Sequence, residues 1–328
     1  MAELVREPQL MVGEGWDDYA LLDSGDGRKL ERFGPYRFIR PEPQAMWTPR
    51  SPAWQADGEF IPGADEDGGG RWHLSGEVPD GWPLSWGEAR FAASCTPFRH
   101  LGFFPDMAPV WDWMRAQLSL PPVGFAQLRI QGRGPGGGAS SEDVDMPHPN
   151  PSPESEGLNS LNLFGYTGVG TQALSACGPV THVDASKKSV AQARENAELA
   201  GMADRPIRWL VDDAAKFTAR EVRRGKRYDG IILDPPKFGR GPTGEIWRIE
   251  EGLGPLVRDC RALLDEDSRF LFLTVYAVRM SSLSLAGLLD EIFAELPGKV
   301  EHGDLAVQEQ GSGRLLPTAI FARWSNQG

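Results

Sequence analysis

The sequence predicts an α/β protein: a mainly parallel, doubly wound sheet with a smaller β-rich domain in front of it. Two observations support this fold class. From residue 158 onward, apolar runs typical of strands alternate with amphipathic runs typical of helices, as in a parallel sheet with helices on both faces. Residues 1–95 instead contain, at 19–41, two strand-like runs that flank a turn. We therefore predict a small β-rich domain over 1–95, which we consider for substrate recognition, and a larger domain over 96–328.

Length and composition restrict the class of protein. A chain of 328 residues is long enough for two domains that need no covalent cross-links. Its three cysteines lie far apart, which suggests neither a disulfide framework nor a metal-binding knuckle. The first residues lack the apolar core of a signal peptide, and no apolar run approaches the ~20 residues that span a bilayer. These features predict a cytoplasmic protein with no membrane partner and no metal.

The net charge of −12 is unevenly distributed along the chain. Residues 158–328 carry 21 basic and 22 acidic groups, so most of the negative charge lies before them. Composition therefore gives no sign of the basic face that is usual in nucleic-acid enzymes. One basic run, residues 216–227, is either the solvated end of a helix or a local nucleic-acid-binding patch.

The N-terminal half contains a hairpin signal, many tryptophans and one helix. Residues 19–41 have two strand-like runs flanking the turn Ser-Gly-Asp-Gly at 24–27. Eight of the eleven tryptophans precede residue 130, and they either fill a small core or stack on nucleic-acid bases. A helix is predicted over 104–119, entered through Asp106 and Pro109.

Residues 132–157 consist almost entirely of Gly, Pro, Ser and acidic residues. Such a segment buries too little apolar surface to offset its ordering entropy, so we predict a disordered insertion. It is either a tolerated surface decoration or a gating lid. We expect a deletion of the segment to leave folding intact.

Seven strands and five helices are expected after this insertion. The strands are predicted at 158–164, 179–185, 206–213, 228–236, 269–277, 299–307 and 315–324. The helices are predicted at 171–177, 187–202, 214–224, 253–265 and 284–296. In a doubly wound sheet, ligands bind at the carboxyl ends of the strands near the point where the strand order reverses.

The first strand ends in a glycine turn that is compatible with any adenosine cofactor, and the acidic residues that end the next strands are the stronger signal. Gly165, Gly168 and Gly170 follow a G-x-x-G-x-G spacing, which differs from the G-x-G-x-x-G of dinucleotide-binding proteins. Acidic residues then end three successive strands. Asp184 can accept both ribose hydroxyls, and Asp212 with Asp213 can accept from an adenine amino group. Any single aspartate is as easily a helix N-cap, but three at successive strand ends favour a binding site.

These motifs resemble those of the class I S-adenosylmethionine-dependent methyltransferases. "NLFGYTG", "VDASKKSVAQARENAELAG", "VDDAAKF" and "DPPKF" are most similar to those of a bacterial group that modifies large-subunit ribosomal RNA. The resemblance covers roughly residues 98–328. It implies a Rossmann-like sheet of seven strands and S-adenosylmethionine as the cofactor.

The resemblance also implies a role for each matching residue. The methionine part of the cofactor would lie against Phe164, Gly165, Tyr166, Thr167, Gly168 and Gly170. The ribose would contact Asp184, Ala185 and Ser186, and the adenine would contact Asp212, Asp213 and Ala214. The segment "GFFPDM" would place Phe104 and Asp106 over the cofactor. The catalytic residues facing the acceptor would be Asp234, Pro235, Pro236, Lys237 and Phe238, with Asp234 also touching the cofactor.

Methyl transfer requires mainly that the nucleophile is held about 3 Å from the methyl group and in line with the sulfur. Pro235 and Pro236 make a rigid shelf that presents Asp234, because proline restricts both its own backbone and the residue before it. Phe238 could stack on an extruded base. Lys237 either meets a phosphate or has a purely local role.

We expect transfer to a nitrogen of a base in ribosomal or other structured RNA. Relatives that methylate carbon place a cysteine just after the Asp-Pro pair or at the end of the fifth strand, where this chain has Pro236-Lys237 and residues 276–278. Cys95, Cys177 and Cys260 are expected to be inert thiols. The alternatives are a methyltransferase acting on a protein side chain or a small molecule, and a protein that binds the cofactor without catalysis.

Overall fold

The computed structural model describes residues 1–63, 69–119, 158–276 and 279–326, so the predicted disordered insertion at 132–157 lies outside the described residues. The part before that insertion is mostly β structure. Its strands are β1 (Ala2–Leu4), β2 (Gln9–Gly13), β3 (Tyr19–Gly25), β4 (Arg28–Phe33), β5 (Tyr36–Pro41), β6 (Gly58–Pro62), β7 (Gly70–Leu74), β8 (Trp82–Trp86) and β9 (Ala89–Ala93). A short 3₁₀ helix, Pro105–Met107, leads into α1 (Ala108–Ser119), which confirms the helix predicted over 104–119.

The second part alternates strands and helices as predicted. Its strands are β10 (Ser160–Leu163), β11 (Val180–Asp184), β12 (Ile207–Val211), β13 (Gly230–Leu233), β14 (Phe238–Arg240), β15 (Ile246–Arg248), β16 (Phe270–Val275), β17 (Gly298–Gln308) and β18 (Leu315–Ser325). Its helices are α2 (Val169–Leu174), α3 (Lys187–Leu199), α4 (Ala214–Arg223), α5 (Ile249–Ala262) and α6 (Ser282–Phe293).

The large sheet has the strand order β12-β11-β10-β13-β16-β18-β17, which contains all seven predicted strands. The first five run parallel, and β18 is antiparallel to both of its neighbours. The central strands β10, β13 and β16 are buried throughout, because helices cover both faces of the sheet. The strand order reverses between β10 and β13. The carboxyl ends of these two strands therefore border the crevice in which this fold binds ligands.

The sheet is wider than the seven strands predicted. Strands β1 and β2 both pair in parallel with β17, which makes nine strands among the described residues. These segments are short, and their partner strand lies almost at the other end of the chain, so no local pattern marks the pairing. Residues 2–13 thus contact the large sheet, and the predicted domain boundary at residue 95 stays a prediction.

The remaining N-terminal strands form a five-stranded sheet, β3 to β7, and the hairpin β8–β9. The hairpin predicted within 19–41 is confirmed: β3 and β4 are antiparallel and turn at Asp26 and Gly27, both with positive φ. The aromatic side chains of this region form a core. Phe38 stacks on Trp82 with 5.6 Å between ring centroids, and the same buried cluster reaches Phe272 of the large sheet. Full burial of such side chains contributes about 1.5–3 kcal/mol each.

The basic run at 216–227 is largely neutralised within the fold. Lys216 pairs with Glu245, Arg220 with Asp212, and Arg224 with Glu221 at 3.1 Å. Arg227 donates a hydrogen bond to the carbonyl of Ala262. Of the two alternatives considered for this run, these contacts favour the end of a solvated helix over a nucleic-acid-binding patch.

Candidate active site

A cleft of about 440 Å³ opens at the carboxyl ends of β10 to β13. Twelve of the residues predicted to form the site line it: Phe104, Phe164, Tyr166, Asp184, Ala185, Ser186, Asp212, Asp213, Ala214, Asp234, Pro235 and Pro236. Gly165, Thr167, Gly168 and Gly170 line a smaller recess, which also touches Phe164, Tyr166 and Asp234. A larger open groove of about 730 Å³ lies elsewhere, between residues 14–20 and 308–313, away from these strand ends.

The turn after β10 packs closely against the ring of His182 on the neighbouring strand β11. A Cβ atom on Gly165 would lie 2.5 Å from the ring of His182, so no larger residue fits there. Phe164, Tyr166 and Gly168 have φ angles of 58°, 47° and 82°, in the left-handed region that glycine adopts most easily. The Gly168 amide donates to the Gly165 carbonyl at 3.0 Å and closes the turn. The backbone at the end of β10 is therefore tightly folded, and the His182 ring leaves no room for a side chain at Gly165.

Asp184 ends β11 and holds two loops together. Its Oδ2 accepts from the Tyr166 amide at 2.9 Å, and its Oδ1 accepts from the Ser186 amide at 2.8 Å. Burial raises the pKa of this carboxyl, whereas the two amide donors lower it. A carboxylate oxygen has the capacity for more than one hydrogen bond, so each oxygen of Asp184 can also accept from a hydroxyl group of a ligand in the cleft.

Asp212 and Asp213 follow β12, and both also have structural contacts. Asp213 is the N-cap of α4 and accepts from the Lys216 amide at 2.9 Å. Asp212 accepts from the Asp213 amide at 2.9 Å and forms an ion pair with Arg220. The helix-cap alternative thus holds for Asp213, although both residues remain part of the cleft wall.

Asp234 directly follows β13, which is separated by β10 from β11, the strand that ends in Asp184. Its Oδ1 accepts a hydrogen bond from the Thr274 hydroxyl at 2.7 Å. Burial raises the pKa of Asp234 to about 7, and the nearby Asp106 carboxyl adds to the rise. Beside it, the carbonyl of Pro236 accepts from the Trp247 indole at 2.7 Å, which anchors the proline shelf. Near neutral pH this carboxyl can therefore either donate or accept a proton.

No protein-family model matches the chain. A solved structure, however, is similar to it in sequence and in fold. The crystal structure of the SAM-dependent methyltransferase from Agrobacterium tumefaciens is 38% identical in sequence, with a TM-score of 0.83. The match covers 99% of this chain and 96% of that one. The chain belongs to the SAM-dependent methyltransferases. Its cofactor is accordingly S-adenosylmethionine, as the sequence predicted.

Two further relatives are more distant or more partial. The structure of SMU.776 in complex with SAH has a TM-score of 0.64 at 16% identity, covering 94% of this chain and 75% of that one, and shows the fold alone. The ribosomal RNA large subunit methyltransferase I of Klebsiella pneumoniae is 36% identical over 80 residues. That match covers 24% of this chain and 20% of the relative, so the chain spans about a fifth of that protein's length.

The cleft suits S-adenosylmethionine in shape and in chemistry. The tightly folded turn at 164–168 brings backbone close to the cleft, and Asp184 supplies two oxygens that can accept hydroxyl groups. Phe104 lies across the turn, with its ring centroid 5.8 Å from that of Tyr166 and 5.7 Å from that of Tyr276. The individual roles predicted for these residues stay predictions.

Three predicted site residues line neither the cleft nor the recess. Lys237 and Phe238 are exposed at the start of the hairpin β14–β15, which the sequence did not predict. Because the chain turns away after the prolines, Gly239, Arg240 and Gly241 line the cleft in their place. Asp106 is buried behind Tyr276, in a cavity of about 80 Å³ that Lys29, Glu31 and Arg40 also line. Burial raises the pKa of Asp106, which adjoins Tyr276 and Thr318.

Eight cleft residues were not predicted from the sequence: Val183, Gly239, Arg240 and Gly241, together with Arg99, His100, Trp247 and Tyr276. His100 Nδ1 lies 3.3 Å from the Tyr166 hydroxyl, and burial, helped by the charges of Arg40 and Arg99, lowers the pKa of His100 to about 4. The sequence offered two signals for these residues. Tyr276 directly follows the fifth strand, and His100 lies just before the segment "GFFPDM".

The three cysteines do not line the cleft. Burial raises the pKa of the Cys95 thiol to about 11, and it also raises the pKa values of Cys177 and Cys260. A raised pKa lowers the thiolate fraction at neutral pH, and the thiolate is the nucleophile.

In the part of the chain that the structure describes, no helix combines the length and apolar character needed to cross a membrane.

Proposed function

We propose that the protein transfers a methyl group to a nitrogen of a base in structured RNA, with ribosomal RNA as the first candidate. The observation that carries this proposal is Asp234, a half-buried carboxyl on a proline shelf that accepts one hydrogen bond from the residues that the structure describes, from Thr274. The name of the Klebsiella relative, a ribosomal RNA methyltransferase, supports the choice of RNA.

Bound S-adenosylmethionine supplies the methyl group as an electrophile on a positively charged sulfur. In this proposal Asp184 and the turn at 164–168 hold the ribose and methionine parts, and Asp213 faces the adenine. Pro235 and Pro236 form a rigid support that fixes the position of the acceptor in the cleft, because their backbone angles are restricted. The shelf thereby orients the acceptor nitrogen for in-line attack.

Asp234 acts on the acceptor side. Its carboxylate accepts a hydrogen bond from the amino or ring N–H of the base and takes the proton as the new bond from nitrogen to carbon forms. A pKa of about 7 suits that task, since a base titrating near the working pH combines availability with proton affinity. None of the three cysteines lines the cleft, which supports direct transfer without a covalent enzyme–base intermediate.

The second candidate acceptor is a protein side chain or a small molecule. The net charge of −12 favours a protein side chain or a small molecule over a polyanion. A protein that binds the cofactor without catalysis is the third alternative, and the complete Asp234 to Phe238 motif argues against it. The predicted cytoplasmic location is compatible with each and stays a prediction.

One experiment separates these alternatives. The purified protein is incubated with S-adenosylmethionine labelled in the methyl group and an extract of cells that lack the protein. Under this proposal the label enters material that RNase degrades and protease does not, and the Asp234→Ala variant transfers none. Label in protease-sensitive material or in small molecules would replace the RNA acceptor. No transfer to any fraction would favour a binding protein.

A further inference from the structure

Two arginine side chains line the methyltransferase cleft. Arg99 lines it from the loop before the 3₁₀ helix, and Arg240 lines it from the hairpin β14–β15. Both are exposed, and neither side chain forms an ion pair or hydrogen bond with the residues that the structure describes. By contrast, Lys216 and Arg220 on α4 are both paired with carboxylates. Free guanidinium groups at a cleft mouth are suited to bind an anion carried by the substrate.

An exposed aromatic ring accompanies each arginine. Phe98 is 49% exposed and stacks on His100, with 5.6 Å between centroids and 19° between ring planes. Phe238 is 48% exposed at the start of the hairpin. Neither phenylalanine lines the cleft itself, but Phe98 directly precedes Arg99 and Phe238 lies two residues before Arg240. Proteins that bind single-stranded nucleic acid combine these two features: the rings stack on bases and the cations follow the phosphates.

A second groove begins where the cleft ends. It has a volume of about 340 Å³ and shares Arg99 and Tyr276 with the cleft. Its walls include the carboxylates of Glu42 and Asp304, and Lys29 lies 3.3 Å from Glu42. Carboxylates there repel phosphate but accept hydrogen bonds from base amino groups. The groove thus suits a base, and Arg99 lies at the junction between cleft and groove.

We propose that Arg99 binds the phosphodiester joining the nucleotide in the cleft to its neighbour in the groove, and that Arg240 binds a second phosphate of the same strand. The proposal rests on the proposed function, because it specifies how an RNA strand crosses that same site. The strand would lie across the cleft, with the methylated base extruded toward Asp234 and phosphates held by Arg99 and Arg240.

The salt dependence of RNA binding tests this proposal. A fluorescent single-stranded oligoribonucleotide of mixed sequence is titrated with protein saturated with SAH, at several salt concentrations. For single strands the slope of log K against log salt changes by about 0.7 for each phosphate that the protein no longer neutralises. Arg99→Gln and Arg240→Gln should each reduce the slope by about that amount, and the double variant by about twice as much.

Arg37→Gln is the matched control, because Arg37 is exposed on β5 and lines neither the cleft nor the groove. It should leave the slope unchanged, and all variants should bind SAH like the unmodified protein. Equal slopes for the double variant and the control would overturn the proposal, as would an unmodified protein that shows no salt-dependent binding. Label found in RNA together with unchanged slopes would refute only the binding of phosphate by the two arginines. Label found in protein would refute the RNA acceptor, and the slopes would still decide on the arginines.

Discussion

The two ends of the cleft differ in how firmly their acidic groups are held. At the end that we propose for the cofactor, called the cofactor end, Asp184 accepts hydrogen bonds from two backbone amides and Asp213 caps a helix. At the other end, which we propose for the acceptor and call the acceptor end, Asp234 receives one hydrogen bond from the described part of the chain, from Thr274. Arg99 and Arg240, also at that end, have no side-chain partner among the described residues.

This difference separates preorganised geometry from groups left free for the substrate. Amides that tie a carboxylate to two loops fix its position before any ligand arrives, which suits a cofactor of constant shape. Groups with unused hydrogen-bonding capacity gain their partners only when the acceptor binds. We therefore expect substitutions at the first end to act on cofactor affinity, and substitutions at the second end to act on turnover.

Replacement of Asp234 by alanine should have the largest effect. We expect transfer to fall by at least about 100-fold, because the proton acceptor is lost, while the Kd for S-adenosylmethionine changes by less than about 3-fold. Asp234→Asn is the matched control, since its amide oxygen can still accept from Thr274 but cannot take a proton. Turnover assays and calorimetry measure the two effects. Equal losses of binding and turnover in both variants would show that Asp234 is structural.

Replacement of Asp184 by alanine should mainly weaken the cofactor. The change removes the acceptor for the ribose hydroxyls and leaves the Tyr166 and Ser186 amides without their partner. We expect a loss of about 1.5–3 kcal/mol, which is about 10- to 150-fold in Kd. Calorimetry with S-adenosylmethionine measures it, with NAD as the negative control ligand. An unchanged Kd would mean that the ribose lies elsewhere in the cleft.

The pH dependence of turnover should report on Asp234. Its pKa of about 7 implies that kcat falls as pH decreases below 7, when the carboxylate becomes protonated. Asp106→Asn removes a negative charge that raises this pKa, so the acidic limb should move to lower pH. His100, with a pKa lowered to about 4, is neutral throughout this range and cannot produce the limb. A limb near pH 7 that persists in Asp234→Asn would assign it to another group.

The same pKa affects stability with a definite sign. The folded-state pKa lies above the usual value of 3.8, so the folded state binds this proton more tightly than the unfolded state does. The contribution of Asp234 to the free energy of unfolding therefore decreases as pH rises from about 4 to about 7, and it is constant above that. Asp234→Asn should flatten that part of the stability profile in denaturant titrations. Comparison of this stability profile with the pH profile of kcat distinguishes a loss of activity at low pH from unfolding of the protein.

The cofactor end was predictable because its residues lie in short consecutive motifs at strand ends. Gly165 to Gly170, Asp184 to Ser186 and Asp212 to Ala214 each follow an apolar strand directly, so periodicity alone puts them at one edge of the sheet. Asp234 followed by two prolines carries the same kind of local signal. Twelve predicted residues accordingly line the cleft.

The acceptor end was less predictable because it is assembled from distant segments. Arg99 comes from a loop, Arg240 from a hairpin of two three-residue strands, and Tyr276 from the end of the fifth strand. The hairpin also turns Lys237 and Phe238 away from the cleft lining, which the motif alone does not reveal. Strands β1 and β2 were missed for a similar reason, since their partner β17 lies near the opposite end of the sequence.

The smallest effect is expected from removing the thiols. Methylation of pyrimidine carbon 5 needs a cysteine thiolate that adds to the ring, whereas a nitrogen attacks the methyl group directly. Cys95 is half-buried with a thiol pKa of about 11, and Cys260 is fully buried in the core. We therefore expect the variant with Cys95→Ser, Cys177→Ser and Cys260→Ala to keep kcat within about 2-fold. Transfer is assayed on the acceptor found with labelled extract, and thermal melting checks that the variant folds. Loss of transfer in Cys95→Ser alone, with a trapped adduct on a fluorinated pyrimidine, would instead establish covalent catalysis and move the chemistry from nitrogen to carbon.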